Sequence, residues 1–339
     1  MKDKSRSRRD VLKLFGAAPI IAGAVAEAQT QAPEARPAPS QGASEAGGQS
    51  QAQGGRGGRG GRGRGGGFGG GDFWPGLKRL LFVADTQTGY MHDSISHAMA
   101  TVEQLGRETQ TYMTMIKSDS QLITDTPIKA QGRYARGGPN TLAYAHILPY
   151  YDAIFMLPSG YGTLSDQQKT DLVAFVHDQG KGLIVGHAAA TCFETWPQWA
   201  EMIGASWGGE FNANATVIVE DPNFPGANAF GPLPFKFYEQ HAIFVAPGYS
   251  RDSSHVVMRL DPDSLDPAIR SKKPDGDFPV AVARQYGKGR IFNVSWGHFD
   301  ATWDDPRFQR MMLHGIKWAM GITPADVTPR PFPASKPTT

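Results

Sequence analysis

Three histidines share one setting in this sequence. His92, His187 and His298 each follow an apolar run, at 79–85, 183–185 and 291–295. Imidazole titrates near neutral pH, so each can serve as a general base or a general acid. Glu239, in an aromatic-rich run with Gln240 and His241, can act as partner acid or can orient an imidazole. Two or three histidines with a carboxylate also suit zinc or another divalent ion. There is no local His-x-x-x-His signature. A metal set of His92, His187 and His298 therefore depends on the fold to assemble it. The single cysteine, Cys192, excludes an intrachain disulfide and a Cys-rich zinc module. It reads as an ordinary half-buried thiol.

The elements that must position these residues follow from periodicity. Leu183, Ile184 and Val185 read as a central strand buried on both faces, stopped by Gly186 just before His187. A first strand at 79–85 leads to Tyr90, His92 and Asp93. A helix then runs from Ser94 to Leu105, with Asp93 or Ser94 as its N-cap and Gly106 as its stop. Strands at 109–115 and 151–157 follow. Ser165 and Gln168 form a capping box for a helix ending before Gly180. Later come a helix at 196–203, strands at 216–219, 256–260, 280–284 and 291–295, and an amphipathic helix at 308–320. Asp304-Asp305-Pro306 caps that last helix. Gly287-Lys288-Gly289-Arg290 precedes a strand rather than a helix, so it reads as a hairpin turn and not a phosphate loop. The fold class is α/β, a doubly wound, mostly parallel sheet with helices on both faces. In such a sheet the strand ends share one rim, where ligands bind, and the three imidazoles can converge. His97, His146, His177, His255 and His314 read as surface or helix-face residues.

The chain has 339 residues, 40% of them hydrophobic, and a formal net charge of +2. Its basic excess lies early, at Arg56, Arg59, Arg62 and Arg64. Arg8-Arg9 before the apolar run 14–25 reads as a Tat export signal over residues 1–28, which points to a periplasmic or secreted protein. Residues 29–75 are Ala/Pro-rich and then Arg/Gly-rich. They hold too few apolar side chains for a core and read as a disordered tether that can touch anionic envelope surfaces. Nucleic acid is not an expected partner, because export separates the tether from RNA. The folded domain spans 76–323, with a poorly periodic inserted loop at 133–140 and a Pro-rich tail at 324–339. Composition leaves self-association open.

Five motifs, in order, resemble one family. They are Thr88-Gly89-Tyr90-Met91-His92-Asp93-Ser94-Ile95, Gly186-His187-Ala188-Ala189, Tyr286-Gly287-Lys288-Gly289-Arg290-Ile291-Phe292, Gly297-His298 and Gly315-Ile316-Lys317-Trp318-Ala319. Together they are similar to the ThuA-like (trehalose utilisation) family. The resemblance implies a flavodoxin-related, class I glutamine-amidotransferase-like fold without the Cys nucleophile of that superfamily. It also implies a link to sugar metabolism, including keto-disaccharides. His92, His187 and His298 match the family. Two stretches depart from it: 208–214 lacks the family's histidine, and Glu239-Gln240 stands where an acidic pair is usual. Three readings follow. The first is a hydrolase or lyase on a sugar or keto-glycoside, with His187 or His298 as base, Glu239 as partner, Tyr90 and Trp296 stacking on a ring, and Asp93, Gln240 and His241 holding the ligand. The second is metal-dependent chemistry at the same rim. The third is a non-catalytic carbohydrate-binding module.

Overall fold

The computed structural model describes residues 76–129 and 146–333. The expected export signal, the Arg/Gly tether and the 133–140 loop lie outside those residues. In chain order, β1 (Lys78–Val83), α1 (Ile95–Glu108), β2 (Tyr112–Lys117), β3 (Ala153–Met156), α2 (Asp166–His177), β4 (Gly182–Gly186) and α3 (Pro197–Ile203) form the first half. The second half is β5 (Ser206–Val219), β6 (Phe235–Val245), β7 (His255–Leu260), α4 (Pro267–Arg270), β8 (Phe278–Tyr286), β9 (Gly289–Val294), α5 (Asp300–Asp304) and α6 (Pro306–Ala319). No helix among the described residues is long and apolar enough to cross a membrane.

Among the described residues, nine strands join one mixed sheet in the order β2-β1-β3-β4-β9-β8-β7-β5-β6. From β2 to β9 neighbouring strands are parallel. From β9 to β6 they are antiparallel. The expectation of a mostly parallel sheet therefore holds only for the first strands. The cause is local: Gly287, at φ +56°, turns the chain tightly from β8 into β9, and an antiparallel pair needs no helical crossover. Side chains of β1 alternate between two buried clusters. Leu80 and Phe82 pack with α1 and α6, whereas Leu81 and Val83 pack with α2 and α3. Every residue of β3 and β4 is buried, as strands covered on both faces require.

Local signals set most helix ends. Ser165 Oγ accepts from the Gln168 N–H while the Gln168 side chain accepts from the Ser165 N–H, the expected capping box. Asp305 caps α6 by accepting from Arg307 and Phe308 N–H groups. Gly106, expected as the stop of α1, lies inside it, and the helix runs on to Glu108. Its role is close packing: a Cβ built there would lie 2.4 Å from the Tyr112 ring.

The β5–β6 ribbon is longer than the sequence pattern indicates. Its outward side chains mix polar residues with the exposed rings of Trp207 and Tyr238, and a bulge between Trp207 and Glu210 breaks the alternation. His255 is also not at the surface. It is wholly buried in β7, with Nε2 2.8 Å from an Asp221 oxygen and Nδ1 2.9 Å from the Thr328 carbonyl. The described part of the Pro-rich end, residues 324–333, consequently lies along the domain: Ala325 and Val327 pack on the core, and Phe332 sits 5.2 and 5.1 Å from the Arg251 and Arg259 guanidinium groups.

Intrinsic propensity alone makes Gly106→Ala stabilising, since alanine in a helix interior gains about 1 kcal/mol over glycine. The Tyr112 ring reverses that sign, and overpacking of this kind costs about 1–3 kcal/mol. Urea unfolding of the variant is expected to show a lower midpoint than wild type.

Candidate functional site

Strands β1, β4 and β9 point the same way, so the loops that follow them meet on one rim. His92 comes from the first loop, His187 directly from the end of β4, and His298 from the loop between β9 and α5. One nitrogen from each ring lies within 4.8 Å of the others. His187 Nε2 is the centre, 3.0 Å from His92 Nε2 and 3.1 Å from His298 Nδ1. Three residues far apart in the chain thus form one cluster.

Backbone conformation aims each ring. His187 has φ +41°, in a region that side chains seldom adopt and that concentrates at functional sites. Its Nδ1 is 3.4 Å from the Ser295 carbonyl. A carbonyl only accepts, so Nδ1 carries the proton and Nε2 presents its lone pair to the cluster. Gly297, at φ +125°, makes the turn that delivers His298. Its carbonyl accepts from Ser94 Oγ at 2.8 Å and from Trp303 Nε1 at 3.0 Å.

Burial sets the charge state. Burial first, and then the neighbouring imidazoles, hold His187 down to about 3. Burial, followed by His298, brings His92 down to about 4, with Asp93 opposing. His298 is lowered too, chiefly by burial, while Glu210 and Asp93 pull it up. All three rings are therefore neutral at pH 7, the form a metal binds. A ligand histidine commonly donates its other N–H to a carbonyl or carboxylate, and the contact of His187 with Ser295 has that form. Ligand nitrogens about 2.0 Å from a tetrahedral ion stand roughly 3.3 Å apart, close to the two short separations here. The three residues fit a divalent ion.

The cluster borders a cleft of about 270 Å³ lined by Tyr90, Asp93, Phe299 and Asp300 besides His92 and His298. Tyr90 is 66% exposed and meets His92 edge-on at 4.8 Å. Asp93 is exposed beside it. Phe299 and Asp300 were not among the residues that periodicity singled out, although they directly follow His298. Thr302 and the Ser295 carbonyl leave no sequence signal.

Four expected residues sit elsewhere. Glu239 is fully buried, and its oxygens accept from the Gly297, His298 and Gln240 N–H groups and from Thr302 Oγ1. Burial raises its pKa against those hydrogen bonds. It positions the His298 loop and does not reach the cleft as an acid. Trp296 has no exposed surface; it donates to His241 Nδ1 at 3.1 Å and stacks on Phe237 at 4.1 Å. It cannot stack on a sugar. His241 is buried as well, with Nε2 3.2 Å from the Ala213 carbonyl, and burial holds it down to about 4. Gln240 is half-buried on the outward face of the β5–β6 ribbon. Cys192 is not half-buried but 2% exposed, and burial pushes its thiol up to about 12, which makes it a poor nucleophile. His97 forms an exposed pair with Asp304 at 2.8 Å.

A family model described as trehalose utilisation (ThuA) matches residues 79–319. A ThuA-like protein from Bacteroides uniformis ATCC 8492 has a similar structure, with TM-score 0.52 and 16% identity over 71% of this chain and 91% of that one. A ThuA-like protein from Parabacteroides merdae ATCC 43184 gives TM-score 0.50 and 14% identity over 72% and 90%. At such identities the likeness is one of fold. No curated protein matches the chain.

Lowered imidazole pKa values carry a sign for stability. Below the ordinary value of 6.5 the unfolded chain takes up protons that His187 and His92 refuse until about pH 3 and 4. Their contribution is full above pH 6.5 and declines as pH falls through that window. Urea midpoints measured with chelator present are expected to drop between pH 6.5 and 4. The double variant His92→Asn/His187→Asn is expected to show a shallower drop.

Proposed function

This chain belongs to the ThuA (trehalose utilisation) family, and from that premise we propose an enzyme acting on a sugar or keto-glycoside at a divalent metal held by His92, His187 and His298. The convergence of three neutral imidazole nitrogens within 4.8 Å carries this reading. A bound divalent ion would supply Lewis acidity toward a carbonyl or hydroxyl oxygen and would lower the pKa of a bound water. The residues of the chain do the rest. Tyr90 offers an exposed ring at the mouth of the cleft for the apolar face of a pyranose. Asp93 and Asp300 accept from sugar hydroxyls. Glu239 fixes the His298 backbone, so the ring does not swing with the ligand. The reaction class is hydrolysis or elimination, and the ion that three histidines favour is zinc or a close relative.

A second reading rests on the same two short contacts. At 3.0 and 3.1 Å they are also hydrogen-bond lengths. Without metal, the His187 lone pair would accept from a neighbouring ring and the cluster would act as a proton relay for acid–base chemistry. Glu239 would have no direct part in it. We also place the work of the protein beyond the cytoplasm, on the strength of Arg8-Arg9 before the apolar run 14–25.

Elemental analysis of protein purified without chelator is expected to find about one divalent ion per chain, as for a three-histidine set with an open fourth position. His187→Ala should bind none. Wild-type protein free of metal would sink the first reading. Turnover of a keto-glycoside panel by that metal-free protein would then support the relay, and no turnover would leave a binding module.

A further inference from the structure

The two faces of the β5–β6 ribbon differ in chemistry. Cross-strand partners share a face, so the register sorts the side chains. Ala213 with Glu239, Ala215 with Phe237 and Phe211 with His241 face the core. Trp207 with Phe244, Asn212 with Gln240 and Asn214 with Tyr238 fall on the other face, together with Glu210; Phe244 is buried in the core at that end, and its partner Trp207 is the accessible ring there. There Trp207 is 46% and Tyr238 57% exposed. The Asn212, Asn214 and Gln240 amides take no protein partner among the described residues. A folded core does not require this arrangement: three amides stand between two accessible aromatic rings.

The face runs into the histidine cleft. Tyr238 stacks on Phe299 at 5.4 Å, and Phe299 lies 4.6 Å from the His298 ring and lines the cleft. From Tyr238 to the partner of Trp207 the ribbon extends about 20 Å, at ~3.3 Å per strand residue. That length takes several linked rings rather than one.

We propose that the outward face of the β5–β6 ribbon binds the chain of a neutral oligosaccharide whose terminal ring occupies the histidine cleft. The proposal rests on the reading of that cleft as a sugar site. Each amide offers a donor and an acceptor together, which match neighbouring hydroxyls. Trp207 and Tyr238 supply rigid area at low entropic cost, with Asn and Gln as the adaptable polar contacts. Glu210 on the same face disfavours an anionic polymer, nucleic acid included. The substrate class is then a glycoside longer than a single sugar.

The test is calorimetric titration of the full mature chain with α-glucan, β-glucan, mannan and xylan tetrasaccharides, each beside its monosaccharide. At least one tetrasaccharide is expected to bind about tenfold more tightly than its monosaccharide, or about 1.4 kcal/mol. Tyr238→Ala and the pair Asn212→Ala/Asn214→Ala should each abolish that difference, and Tyr238→Phe should keep it. All three variants are at exposed positions, and circular dichroism checks their folding. Equal binding of every tetrasaccharide and its monosaccharide overturns the proposal. So does a preference that survives both alanine variants. Metal content of the same samples separates the two readings. A preference without metal supports the ribbon and sinks the metal centre, whereas metal without a preference sinks the ribbon alone.

Discussion

A carboxylate cut off from water must find its hydrogen bonds inside the protein, and Glu239 finds four of them. It accepts from its neighbour Gln240, from Thr302 in α5, and from the backbone of Gly297 and His298. That one side chain ties β6, at the far edge of the sheet, to the loop leaving β9, in its middle. The His298 ring, the start of α5 and the path of the ribbon past the cleft all depend on it. The acid therefore works on the architecture of the site rather than on a ligand. Its buried position follows from strand alternation: Glu239 shares the inward face with Phe237 and His241, while Tyr238 and Gln240 face out.

The second constraint is direction. Parallel strands present their carboxyl ends together, and a loop leaving each can lend one side chain to a shared site. Here β1, β4 and β9 each lend an imidazole. Desolvation keeps those rings neutral, and the Ser295 carbonyl fixes which His187 nitrogen faces the cluster. The antiparallel half of the sheet contributes no residue to that triad. It carries the support, Glu239, and the polar ribbon beside it.

Much of this was legible in the residues. The apolar runs before His92, His187 and His298 marked the strands, and their common setting marked the shared rim. Ser165 with Gln168, and Asp305 before Pro306, announced their helix starts because capping is local chemistry. What stayed hidden depended on partners distant in sequence. Gly106 looks like a helix stop until Tyr112 is seen pressed against it. Trp296 and His241 look like ligand residues until each is seen to satisfy the other in the core. His255 looks ordinary because Asp221 and Thr328, which engage its nitrogens, are remote in the chain. The β5–β6 ribbon escaped notice because Gly208 and Gly209 interrupt its alternation at the bulge.

The triad draws on positions 92, 187 and 298, so its members meet only after three distant loops have closed. Closure of large loops is slow, and its entropy cost precedes any reward from contacts. No single helix or hairpin among the described residues carries the complete set. The cluster is a property of the finished sheet, and a ligand that needs all three rings recognises the native state alone. Mass action then adds its binding free energy to the folded chain and to no intermediate. Occupancy of the rim would count the molecules that have completed folding.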